Sequence, residues 1–179
     1  AVCMSLYGHG DPPEWVEALA AKSTLGAHVQ ALAGNKWEAL LLRDTLADGF
    51  VAMLDDDAMK IAHFASFDLG VGCRAVAEMR PQDAQRVVDA VFRELDEGRI
   101  LDTGIRDKLI DIAYGQMNRG RRHTLAAIVE RRFGEDISAD KKDPLAWRTR
   151  YHELDGVPLV EWPEKARRYA VEDSLWAVA

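Results

Sequence analysis

The apolar positions of the chain fall into short runs with two different periods. Ala1–Tyr7 (AVCMSLY) is a compact apolar run and predicts a strand. Gly8–Pro13 is a loop by its turn chemistry, and Glu14–Lys22 has helical spacing. Trp37–Arg43 fits either a short helix or an edge strand, and Phe50–Leu54 is weakly strand-like. Lys60–Phe67 (KIAHFASF) predicts a strand, followed by a helix over Leu69–Met79 that Pro81 breaks. Gln82–Leu95 places Val87, Val88, Val91, Phe92 and Leu95 on one helix face. Arg99–Leu101 is a brief strand after Gly98. Thr103–Tyr114 is helical, with Ile105, Leu109, Ile110 and Ile112 expected inward and Gly115 as its stop. Thr124–Phe133 is amphipathic, Asp140–Pro158 is irregular, and Pro163–Ala179 is a helix with Pro in its first turn. Strands interleaved with helices imply an α/β layered domain.

Composition narrows this little: 48% of residues are apolar and 30% charged, an ordinary soluble balance that excludes collagen-like and strongly disordered classes. At 179 residues one domain is expected. Cys3 and Cys73 form no CxxC pair, which argues against a disulfide scaffold or zinc ribbon and fits a reducing cytoplasm. No run approaches the ~20 apolar residues of a membrane span, so no membrane partner is expected. The chain opens at Ala1 in what reads as an interior strand, which suggests a piece of something longer. The net charge of −7 is uneven. Residues 1–118 hold 11 basic and 19 acidic side chains, whereas residues 119–168 hold 12 and 9. An acidic body with a basic later segment suits a nucleic-acid grip along one edge; a merely solvated surface is the plainer alternative.

Four constellations could carry chemistry. Asp68 closes the run His63–Asp68 (HFASFD), at the expected carboxyl edge of a strand, where open α/β sheets place ligand sites. It would equally cap a helix beginning at Leu69. Asp102-Thr103 stands between a strand and a helix and reads as a structural cap. Tyr169 and Asp173 are spaced i, i+4, so their side chains share a helix face. A phenol beside a carboxylate can hold a water between a metal and a phosphate, although a surface pair would look the same. The basic stretch 119–150 interleaves aromatic residues that could stack on unpaired bases. With His63, the candidate nucleic-acid-binding side chains are Arg122, His123, Lys141, Trp147, Arg148 and Arg150. His9, His28 and His152 lack metal-ligand spacing, and no phosphate-binding, nucleophile-elbow or HExxH motif is present.

The order and spacing of these pieces carry more than each alone. HFASFD, ILDTGIRDKLIDIA, RRHTLAAIVERRFG and WRTRYHELDGVPLVEWPEKARRYAVED together resemble the 3′–5′ exonuclease domain of family A DNA polymerases, phage-type members especially. The likeness to ribonuclease D is more distant. It runs from about His63 to Ala179, and Tyr-x-x-x-Asp within RRYAVED is its most specific piece. The resemblance implies a ribonuclease H-like fold, a mixed central sheet flanked by helices. It further implies two-metal hydrolysis of the terminal phosphodiester of a single-stranded DNA 3′ end, with Mg²⁺ or Mn²⁺ on hard oxygen ligands. By motif match Asp68 and Asp173 would be metal ligands and Tyr169 would orient the attacking water. A polymerase domain in the same parent chain, in a bacterial or phage-infected cytoplasm, would follow.

The sequence departs from the family twice. No Asp is followed two positions later by Glu, so the first motif is missing, and the expectation is a sheet lacking its first strand and a fragment with little activity. Phe64 stands where the family has Asn. Two competing readings remain: a non-catalytic nucleic-acid-binding or bracing domain, and a ribonuclease D-like RNA exonuclease.

Overall fold

The computed structural model describes residues 3–115, 122–138 and 146–178; the side chains of Arg148 and Asp173 lie outside that set. The chain is mixed α/β, with seven α-helices and two small sheets among the described residues. β1 (Cys3–His9), β2 (Ala27–Leu32) and β3 (Lys36–Leu42) form an antiparallel sheet in the order β1-β3-β2. β4 (Lys60–Ala62) and β5 (Ile100–Asp102) form a parallel pair. The helices are α1 (Glu14–Lys22), α2 (Arg43–Asp55), α3 (Ala65–Met79), α4 (Ala84–Asp96), α5 (Thr103–Ala113), α6 (Leu125–Phe133) and α7 (Glu164–Val178).

β3 explains the layering. It is the middle strand, and Trp37 and Ala39 through Leu42 are all buried, as a strand covered on both faces requires. Alternation sends Trp37 and Ala39 toward Val16 of α1, while Leu40 and Leu42 pack with Trp162, Ala166 and Ala170 on the α7 side. The β2–β3 hairpin closes through Gly34 and Asn35, both at positive φ, which Gly and Asn tolerate. A second core joins α2, α3 and α4 through Phe50, Leu54, Val76, Val87 and Val91.

Four sequence expectations change. Trp37–Arg43 resolves as strand β3, and β2 was not anticipated. Phe50–Leu54 lies inside helix α2: its apolar residues sit at i, i+1 and i+4 and face α3 and α4. The strand expected over Lys60–Phe67 stops at Ala62, because Phe64 turns left-handed and α3 starts at Ala65. Helix α5 is turned over. Ile105, Leu109 and Ile112 are each more than half exposed, and Asp107 and Asp111 face inward at 4%.

The parallel pair is tied to α4 by a buried charge. Glu94 has no exposed surface and accepts hydrogen bonds from Lys60 Nζ (2.6 Å) and from Arg99 Nε (3.0 Å) and Nη2 (2.5 Å). The Arg99 bonds, reinforced by Lys60, hold its pKa down at about 2 against the opposing effect of burial. A depressed folded-state pKa stabilises above the ordinary Glu value, near 4.5, and this contribution disappears as pH falls toward 2. Guanidinium unfolding at pH 7, 5 and 3 should show stability falling steeply below pH 4.5. Glu94→Gln should cost about 3 kcal/mol at pH 7, since it removes the buried carboxylate that pairs the largely covered Lys60, and should flatten the acid limb.

Candidate functional site

One carboxylate organises the region where β4 and β5 end. Asp102 Oδ1 accepts from Gly104 N (2.8 Å) and Ile105 N (3.0 Å), capping α5, as the sequence suggests. Its other oxygen accepts from Ala65 N (2.9 Å), the first residue of α3. A single side chain thus satisfies donors at two helix N-termini. The cap of α3 is therefore not Asp68, which lies a turn further on, exposed, and not at a strand tip.

The turn between β4 and α3 is held from behind. Thr103 Oγ1 donates to Ala62 O (3.3 Å) and lies 2.9 Å from His63 Nδ1. The His63 ring meets the Phe64 ring edge-on at 4.5 Å. Phe64 sits at φ 61°, ψ 53° with its ring 45% exposed, and Phe67 is 70% exposed. A bulky residue in the left-handed region carries strain of about 1 kcal/mol or more.

His63, Phe64 and Phe67 line a groove of about 1400 Å³. Every residue of β1 lines it, as do β4 and Asp68. Arg122, Tyr151, Tyr169 and Ser174 line it as well. α7 packs on β1, β3 and β4, and a Ser5–Ser174 hydroxyl pair at 2.5 Å ties it to β1. Among the described residues β1 pairs only with β3 and β4 only with β5, so the groove is lined by strands of two separate sheets.

Asp68 and Tyr169, distant in sequence, therefore share this groove. Tyr169 packs its ring on Tyr151 at 6.2 Å, and Tyr151 donates to Ala166 O (2.6 Å). Asp173 stands one turn beyond Tyr169 on α7, its side chain outside the described residues. A carboxylate such as Asp68 offers hard oxygen donors, which would suit Mg²⁺ or Mn²⁺ rather than a thiophilic ion.

The basic segment is divided. His63 and Arg122 reach the groove. His123 does not: its Nδ1 lies 2.7 Å from Asp107 Oδ2, which Arg131 Nη2 also approaches at 2.5 Å. Burial alone would raise the Asp107 pKa, but the His123 hydrogen bond and the Arg131 charge hold it below the usual carboxylate range. Trp147 is covered by the Arg150 guanidinium at 4.6 Å and packs on the core cluster around Leu154 and Trp162, and Arg150 is bound at both nitrogens to Glu153 (2.8 and 2.7 Å). The stacking expected of Trp147 is thus taken up inside the chain. Lys141 lies outside the described residues, as does the side chain of Arg148. Sequence reading missed Asp107 and Asp111, whose i, i+4 spacing was visible but was overshadowed by the apolar residues between them.

Comparison with family models, with curated proteins and with solved structures returns no match. Among the described residues no helix is long and apolar enough to cross a membrane.

Phe64→Gly should raise stability by about 1 kcal/mol in chemical denaturation, because Gly adopts positive φ without the Cβ clash. A loss of stability would mean that the ring contact with His63 outweighs the backbone strain.

Proposed function

We propose that the chain is a ribonuclease H-like 3′–5′ exonuclease domain, belonging to a DNA-polymerase-type parent and acting on the 3′ end of single-stranded DNA. The observation that carries this reading is that Asp68 and Tyr169, more than a hundred residues apart in the chain, both line one groove. Motif spacing supports it, since Asp173 follows Tyr169 on the same helix.

On this reading Asp68 and Asp173 hold divalent metal, Tyr169 orients the attacking water, and His63 and Arg122 contact the nucleic acid beside the groove. Bound Mg²⁺ or Mn²⁺ would stabilise the charge that develops on the attacking and leaving oxygens. The reading also needs an Asp-x-Glu strand. β1 lies at the edge of its sheet among the described residues, and on this reading the Asp-x-Glu strand would pair there. Phe64 occupies a left-handed position that the Asn of the resembled family would adopt with little strain.

One observation favours a second reading: no Asp in this chain has Glu two positions on. A domain that binds nucleic acid or braces a polymerase without cutting would fit that absence.

The parent protein, carrying its Asp-x-Glu strand, should shorten 5′-labelled single-stranded DNA from the 3′ end in Mg²⁺. Asp173→Ala should lower the rate by about 10²-fold or more. Tyr169→Phe should slow cleavage while leaving metal affinity unchanged. Cleavage undiminished in Asp173→Ala would refute the assignment. Faster degradation of an RNA of equal sequence would move the substrate to RNA, and binding without cleavage would select the bracing domain.

A further inference from the structure

The inward acidic face of α5 requires compensation, because a carboxylate removed from water is costly unless it meets cations or hydrogen-bond donors. Asp107 and Asp111, one turn apart, are each 4% exposed. The guanidiniums of Arg131 and Arg132 both lie on Asp107, at 2.5 and 3.6 Å. Asp107 Oδ2 also accepts from His123 Nδ1 at 2.7 Å. An ionised carboxylate can only accept, so the proton of that bond sits on Nδ1. The other ring nitrogen, Nε2, is turned toward Asp111 Oδ2 at 3.8 Å.

We propose that His123 Nε2 and Asp111 Oδ2 form a binding site for a divalent transition-metal ion, with Asp107 as the positioning residue that fixes the imidazole. One ligand atom from each of Asp107, Asp111 and His123 lies within 4.8 Å of the others. A carboxylate holding the far nitrogen of a metal-binding imidazole is a recurrent arrangement, since it fixes the tautomer and makes the ligating nitrogen more basic. Metal–nitrogen and metal–oxygen bonds of about 2.0–2.2 Å at a tetrahedral angle separate the two ligand atoms by about 3.4 Å. The observed 3.8 Å therefore needs a closure of a few tenths of an ångström, within reach of side-chain rotation. A mixed imidazole–carboxylate set favours Zn²⁺, Co²⁺ or Mn²⁺ over Mg²⁺. Arg131 stays on Asp107 and need not be displaced, because Asp107 is not a ligand. None of these residues lines the groove of the proposed exonuclease, so this site is independent of that reading.

Titrating the chelator-stripped chain with Co²⁺, and competing with Zn²⁺, tests the assignment. One equivalent should bind with visible d–d absorbance, and in a ¹⁵N spectrum the His123 Nε2 resonance should move while Nδ1 stays protonated. His123→Gln and Asp111→Asn should each weaken binding at least tenfold, and Asp107→Asn should weaken it by about 10- to 100-fold. Asp111→Asn is nearly isosteric and guards against a variant that fails to fold. No Co²⁺ uptake by the wild-type chain, no movement of the His123 resonance, or equal binding by Asp111→Asn would overturn the site.

Discussion

Asp102 is the side chain on which the geometry of the groove depends. β4 and β5 run parallel and end side by side, so the helices that leave them begin within reach of one carboxylate. Its two oxygens accept three backbone N–H groups from two helices. Caps of this kind contribute about 1 kcal/mol each, but the geometric consequence is larger. Fixing the first turn of α3 fixes the bend at His63 and Phe64, and that bend sets where Phe67 and Asp68 emerge. Thr103, next to Asp102, anchors the same bend through Ala62 and His63.

Around that anchor charge is buried in two places among the described residues. Glu94 joins β4, α4 and the entry to β5 through Lys60 and Arg99. Asp107 joins α5 to the segment entering α6 through His123 and Arg131. Removing one member of such a buried pair costs far more than a surface ion pair contributes. β4 and α6, which line the groove, are thus tied to their neighbours through charge, while α7 packs on the apolar face of β3.

How far the sequence could be read follows from these interactions. The apolar spacing of Gln82–Leu95 and Thr124–Phe133 identified α4 and α6 as helices, although on α4 only Val87 and Val91 of the expected face are buried, while Phe92 and Leu95 are exposed. Phe50–Leu54 misled because a five-residue apolar run fits a buried helix as well as a strand. The face of α5 misled for a different reason: hydrophobic periodicity ranked Ile105, Leu109 and Ile112 as core, while ion pairing with residues 16 and 24 positions away drew Asp107 inward. Such long-range pairing leaves no local trace. Asp102 was readable as a cap of α5, but its reach to α3 depends on β4 and β5 lying in parallel, which no short motif encodes. Of the site, the expectation that Asp68 and Tyr169 share a groove matches its lining, whereas the exposed position of Asp68 within α3 was not anticipated.

Amide hydrogen exchange on Asp102→Ala tests this organisation most directly. Protection should fall together in the first turn of α3, beginning at Ala65, and in the first turn of α5, at Gly104 and Ile105, with α4 and α7 unchanged. Loss confined to Gly104 and Ile105, with Ala65 and the turn around Asp68 still protected, would contradict the claim that one carboxylate sets the groove wall.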